Sequence, residues 1–484
     1  MTPTETPPES LEESTTAEEI EPKTDWWAAF KDALRGKHDD DYTEGPIGRA
    51  VLLLAVPMVL ETVMESVFAV VDVFFVSKLG PAAVATVGLT ESMMAIIYTV
   101  AVGLSIGVTA MVARRTGEKD PDGAAESAVQ AILLGVAVAI GFGALGVFYA
   151  DKLLALMGAD EAVLREGVGY TRIMVGANGT VMLLFLINAI FRGAGDAAVA
   201  MRVLWLANGI NIILDPLLIF GIGPFPEMGI EGAAVATNCG RGVAVIAQLY
   251  FLAKGTQRLS IMARHVRVVP ERLRRLVSLS GTATFQFFIS TASWIGLIRI
   301  LASFGNEVLA GYTIGIRIVL FALFPSWGIS NAAATMVGQA LGAGKPERAE
   351  KAVWLTAYYN FFFLGVTSVV YMVFAPTIVG WFTQDPETYR WALLALRTVS
   401  SGFVFYAFGM VLTQAFNGAG DTWTPTYLNL FCFWLFELPI AYVLAYHFDL
   451  GPWGVFLAIT LAFSLLAVVA IVMFRRGTWK TKTV

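Results

Sequence analysis

From Ile47 onward the chain alternates apolar runs of helix-spanning length with short polar breaks, and it does so twelve times. Crossing the ~30 Å hydrocarbon layer takes about 20 mostly apolar residues in a helix, which satisfies its own backbone polar groups where lipid cannot. The pattern predicts spans near 47–77, 82–112, 123–149, 168–191, 198–221, 231–253, 275–303, 308–340, 350–376, 390–416, 422–446 and 452–474. Glycine is frequent inside these runs, where in a bilayer it serves close helix packing.

The twelve runs are two copies of one plan. Phe191-Arg192-Gly193-Ala194-Gly195-Asp196 returns as Phe416-Asn417-Gly418-Ala419-Gly420-Asp421, 225 positions later. At that offset Gly80 meets Gly305, Gly103 meets Gly328, Met111-Val112 meets Met336-Val337, Gly117 meets Gly342 and Pro121 meets Pro346. Farther on the offset is 222, aligning Gly229 and Gly232 with Gly451 and Gly454. A register held this long points to duplication. Six crossings per half is an even number, so both copies start on the same side and are parallel repeats about an axis along the membrane normal. The expected fold is an all-α membrane protein, twelve transmembrane helices in two pseudo-symmetric six-helix bundles around a central cleft. The first half is expected over 47–262 and the second over 263–484, ending in a short basic tail.

Composition agrees: 56% of residues are hydrophobic and 15% charged, against about 25% charged in soluble domains. Residues 1–46 are different, with thirteen Asp or Glu against four Lys or Arg. They read as a disordered acidic cytoplasmic tail. Within it Trp26, Trp27, Phe30 and Leu34 share one helical face opposite Lys31, Asp32 and Arg35, which suits either a short helix in the headgroup region or a fluctuating segment. With no basic-then-apolar signal peptide, the first span is expected to direct insertion.

Lys and Arg crowd the loops after the even-numbered spans, above all Lys254, Arg258, Arg264, Arg267, Arg272, Arg274 and Arg275 between the halves, and the tail adds Arg475, Arg476, Lys480 and Lys482. The positive-inside rule then puts both termini in the cytoplasm of a multi-pass cytoplasmic-membrane protein. The basic linker reads as a topology signal beside anionic lipid, and no nucleic-acid partner is expected.

Enzyme chemistry finds little support. His38, His265 and His447 fall in the tail or loops, Cys239 and Cys432 lie in separate spans without a CxxC, and no GxxxxGK[ST] loop is present. What remains is a set of ionisable groups within the bilayer, each costing roughly 2.5 to 3.5 kcal/mol at a helix centre. In the first span Glu61, Glu65 and Asp72 fall within about 40° of arc, beyond Pro57, whose missing N–H lets that helix bend. In the fifth, Asn208, Asn211 and Asp215 form another stripe before Pro216. Asp72 and Asp215 are expected at similar depth in the outer half of the first bundle. Two such carboxylates with Asn oxygens nearby can share protons or hold a hard monovalent cation, or simply bond neighbouring helices. Glu61, Glu65, Asn208, Gln286 and Glu437 are candidates for the cleft wall, where acidic groups would attract cationic substrates. Arg241 and Arg317 lie mid-span, with Glu437 or Glu65 as possible partners. In the second half Asp72 becomes Leu297 and Asp215 becomes Glu437, so the ion site is expected in the first half.

In these features the chain resembles the multidrug and toxic compound extrusion (MATE) transporters from Ile47 to Arg476. The resemblance rests on the twelve spans, Pro57 followed by Val71-Asp72, the paired Phe-x-Gly-Ala-Gly-Asp turns, Asn211-Ile212-Ile213-Leu214-Asp215-Pro216 and Met228-Gly229-Ile230-Glu231-Gly232-Ala233-Ala234. It implies a secondary active antiporter exporting amphipathic, often cationic compounds against H⁺ or Na⁺, with no other cofactor. It looks most like the DinF-like branch, in which a first-lobe cation site is built from residues matching Asp72, Asn211 and Asp215. Asn188, Tyr170 and Thr237 match further polar members. Ser290 stands where other branches carry an acid, and Glu61 and Glu65 stand where most relatives carry neutral polar residues. The expected partners are small amphipathic substrates and the bilayer, with the protein a monomer. A lipid-linked saccharide flippase of the wider superfamily is the alternative, although it would be expected to show a basic cleft.

Overall fold

The computed structural model describes residues 25–36, 41–256 and 258–484; the acidic stretch before Asp25 and His38 lie outside the described residues. The first helix, α1 (Trp26–Arg35), starts where the Asp25 carboxylate accepts the N–H groups of Trp27 and Ala28 and stops at Gly36 in the left-handed region. It buries Ala29 and Ala33 and leaves Trp26, Trp27 and Phe30 exposed.

Twelve crossings follow among the described residues. Those of the first half are α2 (Ile47–Val76), α3 (Pro81–Gly117), α4 (Pro121–Leu156), α5 (Glu161–Gly176) with α6 (Gly179–Ala194), α7 (Ala197–Ile219) and α8 (Ile230–Lys254). Those of the second are α9 (Pro270–Ala302), α10 (Asn306–Gly342), α11 (Pro346–Gly380), α12 (Pro386–Ser400) with α13 (Phe403–Gly418), a composite eleventh crossing and α16 (Pro452–Arg475). Several start with proline in the first turn, where no N–H is required.

The fourth crossing of each half is broken at matching places, Ala177-Asn178 and Ser401-Gly402, the second with a 57° bend. A break frees carbonyls, and in lipid these need donors. Asn178 Nδ2 donates to the carbonyls of Ala139 and Val175; in the second half Ser368 and Thr460 donate to those of Ser400 and Thr398. The eleventh crossing is irregular in a way that its apolar run does not foretell. It consists of α14 (Trp423–Asn429), a π-helical stretch (Leu430–Glu437), α15 (Leu438–Tyr442) and a second π stretch (Val443–His447). His447, expected in a loop, closes that last π turn.

The repeated Phe-x-Gly-Ala-Gly-Asp segments are helix-ending turns of the same build. Gly195 and Gly420 take φ of 93° and 83°, and the N–H of Asp196 and Asp421 returns to the carbonyl of Phe191 (2.7 Å) and Phe416 (2.9 Å). Their carboxylates then anchor different segments: Asp196 takes the hydroxyl of Thr256 in the linker, and Asp421 meets Lys482 of the tail at 3.4 Å.

The halves meet on the side that carries residues 41–46 and the C-terminal residues, the terminal face. Gly103 of α3 lies against Thr284 of α9, and its counterpart Gly328 of α10 lies against Met58 and Val59 of α2, so one close crossing is used twice around the pseudo-axis. A Cβ at either glycine would strike neighbouring backbone. Nearer that face Thr335 and Gln339 of α10 donate to the carbonyls of Arg192 (3.1 Å) and Gly193 (2.9 Å).

Residues 41–46 strap this closure, although the sequence places them in a disordered tail. Arg348 of α11 donates to the carbonyls of Tyr42, Glu44 and Gly45, and Lys345 to that of Thr43. Tyr42, only 1% exposed, lies under the Arg258 guanidinium and donates its hydroxyl to the Gly195 carbonyl (3.1 Å). The order comes from basic groups about 300 positions away, which satisfy carbonyls that local sequence leaves free. At the other terminus Arg114 of α3 donates to the Lys482 carbonyl, and Lys480 pairs with Glu350.

Candidate functional site

The fifth and sixth crossings bring one polar group after another to a single point in the outer half of the first bundle. Asp215 of α7 is fully buried. One of its oxygens accepts from Asn211 Nδ2 at 3.2 Å, and the same amide nitrogen donates to Thr237 Oγ1 of α8 at 3.0 Å. The i to i+4 spacing puts Asn211 and Asp215 on one face, one turn apart. The remaining acceptors, Asp215 Oδ2 and Asn211 Oδ1, are buried without a hydrogen-bond partner. Buried oxygens of native proteins are normally paired, so two orphans on neighbouring turns mark a place short of positive charge.

Asp72 of α2 lies within electrostatic reach of Asp215, and both Asp72 and Tyr170 of α5 lie within reach of Glu91 and Arg241. Of the six candidate cation-site residues the structure thus gathers five: Asp72, Asn211, Asp215, Tyr170 and Thr237. Asn188 is not among them. Its amide donates to Glu61 Oε1 (3.0 Å) and its carbonyl accepts from Gln248 (2.5 Å). Glu61 precedes Asp72 by eleven residues, about 16 Å along the helix, so Asn188 belongs to a separate cluster nearer the terminal face.

In that cluster Arg192 pairs with Glu61 at 3.0 Å. Glu61 is therefore a buried, salt-bridged group, not a free charge on the cleft wall. Glu65 does remain accessible, its side chain 39% exposed; Asn208 donates to it at 3.2 Å and Arg241 stands 3.6 Å away. Arg241 also donates to Tyr98 (3.2 Å) and packs over Phe68. Farther out, Glu91 of α3 and Arg317 of α10 are exposed and within electrostatic reach of each other across the two halves. The expected acidic wall is accordingly charge-balanced, since Glu61, Glu65 and Glu91 each face an arginine.

Gln286 and Glu437, also expected on the cleft wall, lie inside the second half. Gln286 is buried, and its backbone carbonyl accepts from Asn429. Glu437 is 3% exposed and faces Ser293 of α9. Glu437 repeats the placement of its counterpart Asp215, which is likewise buried inside its own half, so periodicity identified the face but not what that face meets. Glu91 and Tyr98 escaped sequence reasoning, although a carboxylate inside an apolar run was signal enough to find Glu91. No group of three or more His, Cys, Asp or Glu able to hold a metal ion occurs among the described residues.

Two six-helix bundles closed on one face, with a buried donor-poor polar chamber in one of them, define a polytopic membrane transporter. The MatE family profile matches residues 57–217 and 283–443, and the chain belongs to that family, whose members are transporters, not enzymes. It is 27% identical over 431 residues to the "FAD transporter" of Shewanella oneidensis, covering 89% of this chain and 95% of that one. It is 26% identical over 444 residues to the "Probable multidrug resistance protein NorM" of Thermotoga maritima, covering 90% and 94%. Among solved structures, a transporter of the same superfamily from Pyrococcus furiosus, described as having a binding pocket of reverse polarity, matches with a TM-score of 0.85 at 26% identity, over 91% of this chain and 98% of that one. A multidrug resistance MATE transporter in an outward-facing conformation matches with a TM-score of 0.84, also at 26% identity and over the same shares.

Proposed function

We propose that this protein exports amphipathic organic compounds in exchange for H⁺ or Na⁺, with the coupling ion held at Asp72, Asn211 and Asp215 and with Tyr170 and Thr237 completing its surroundings. The observation that carries the reading is the pair of orphaned buried oxygens, Asn211 Oδ1 and Asp215 Oδ2, within reach of the Asp72 carboxylate. A proton or a small monovalent cation supplies what that chamber lacks. The terminal face is cytoplasmic by its basic loops, so this conformation is closed to the cytoplasm and able to release substrate outward. The lobes, 47–262 and 263–484, then alternate about the Gly103 and Gly328 crossings. Ion and substrate must differ in their preference for the two states, since a ligand that binds both equally shifts nothing. The multidrug names of relatives such as NorM of Thermotoga maritima support the substrate class.

A second reading concerns the charge of the substrate. The Shewanella oneidensis relative named for FAD supports, as the alternative to a cation, an amphipathic compound carrying phosphate. The lipid-linked saccharide flippase is less well supported, because no arginine of the wall stands without an acid. Proteoliposomes loaded with a cationic dye or with a flavin nucleotide, under an imposed pH gradient and then a sodium gradient, test both. Gradient-driven movement of the dye is expected; movement of neither compound under either gradient would refute the exporter reading.

A further inference from the structure

Glu437 occupies the position that matches Asp215 at the 222 offset, yet its surroundings are those of a different kind of site. The Ser293 hydroxyl lies 3.0 Å from Glu437 Oε2 and 2.9 Å from the Phe433 carbonyl oxygen. A serine has one hydrogen to give. If it goes to the Phe433 carbonyl, two lone pairs face each other between Ser293 and Glu437 unless the carboxyl carries a proton. A carboxylic acid resolves the geometry, because Glu437 then donates to Ser293 and Ser293 to Phe433. The groups that bear on the carboxyl are Tyr312 of α10, Tyr406 of α13 and Cys432 on its own segment, all neutral. The Tyr312 hydroxyl accepts from Trp294 at 2.7 Å. The Tyr406 hydroxyl is buried, with the Thr460 side chain as its polar neighbour. No lysine or arginine pairs with Glu437 among the described residues, whereas every acid of the first-half wall faces one.

The segment is also built to move. Glu437 closes one π stretch and Pro439 follows two residues later, ahead of another π stretch. Conversion between π and α turns shifts the register by one residue and swings a side chain by about 100°. Such a swing would carry Glu437 away from Ser293.

We propose that Glu437 is a proton-binding site of the second half, separate from the Asp72–Asp215 chamber, whose proton is loaded beside Ser293 and given up when the eleventh crossing changes register. The inference rests on the ion-coupled reading above only for its transport arm.

Infrared difference spectroscopy of the full-length protein in lipid bilayers, taken between neutral and alkaline pH, reads the protonated carboxyl directly. A carboxylic C=O band is expected that survives in the Asp72→Asn/Asp215→Asn double variant, disappears in Glu437→Gln and shifts in frequency in Ser293→Ala, which keeps the carboxyl but removes its partner. In proteoliposomes, export driven by a pH gradient should fall about tenfold in Glu437→Gln. A band unchanged in Glu437→Gln, or unshifted in Ser293→Ala, overturns the site. Loss of the band with wild-type export overturns its part in transport. Full export by the Asp72 and Asp215 variants would instead sink the first-half reading, and the spectroscopic result for Glu437 would stand apart from it.

Discussion

Asp215 and Glu437 are descendants of one position, and what surrounds them shows how the two halves have parted. Asp215 shares its chamber with Asn211, Thr237, Tyr170 and a second carboxylate, Asp72, all held by regular helices. Glu437 has a single serine and two tyrosines, and it sits at the end of a π stretch. The same contrast extends to the walls. In the first half carboxylates and arginines are interleaved, whereas Leu297, the counterpart of Asp72, is packed among apolar side chains. A duplicated scaffold can keep its crossings, breaks and turns in both copies while a cluster of facing carboxylates and amides is kept in one, because crossings depend on small residues and such clusters on a few polar ones.

The largest expected effect comes from unbalancing the first half. Glu61→Gln leaves the partly buried Arg192 opposite a neutral partner and should lower stability by about 3 kcal/mol, read by thermal unfolding in detergent. The double variant Glu61→Gln/Arg192→Gln should recover much of the loss, and equal stability of single variant and wild type would break the claim of a balanced pair. Next comes the attempt to make the second half like the first. Leu297→Asp puts a carboxyl into an apolar cluster without a chamber to receive it, at a cost of roughly 2.5 kcal/mol; a neutral result would mean that the second half holds polar partners after all. A smaller loss is expected from Thr237→Val, which removes one hydrogen bond from Asn211 and should cost about 1 kcal/mol while weakening ion-driven export more than unfolding stability predicts.

The smallest effect concerns the strap. Burial alone would raise the Asp41 carboxyl, but bonds from the Thr43 side chain and N–H, with Lys119 nearby, hold it below its ordinary value. A lowered folded value contributes stability above the usual aspartate range and loses it as pH falls through the lowered one. Hydrogen exchange of residues 41–46, corrected for intrinsic rates, should stay slow through the ordinary range and speed up only below it. A loss of protection at the ordinary value would contradict the role given to Thr43 and Lys119.

Helix positions were legible from the chain because a lipid-spanning run needs only length and apolarity, and the boundaries of α2, α7 and α16 fall within about three residues of expectation. The breaks at Ala177-Asn178 and Ser401-Gly402 were not, since neither contains proline; the first is held by its own Asn178, which bonds the Ala139 carbonyl of another helix, and the second by Ser368 and Thr460 from other helices. The stripes that carry Asp72, Asn211 and Asp215 were legible because polar groups at helical spacing inside an apolar run have few other uses, whereas Tyr170 and Thr237 followed only from the family resemblance. Asn188 was misplaced for a reason of depth: it faces Glu61, about three turns below Asp72. Glu437 and Gln286 were misplaced because periodicity shows which side chains share a face but not whether that face meets the cleft or the interior of its own half, and both are buried.

The most direct test of the account is ion-driven export by Asp215→Asn in proteoliposomes, with substrate binding measured on the same preparation. Binding within a few-fold of wild type, and gradient-driven export lower by about a hundredfold, are predicted. Export at the wild-type rate under both proton and sodium gradients would contradict the assignment of the coupling ion to the chamber of Asp72, Asn211 and Asp215.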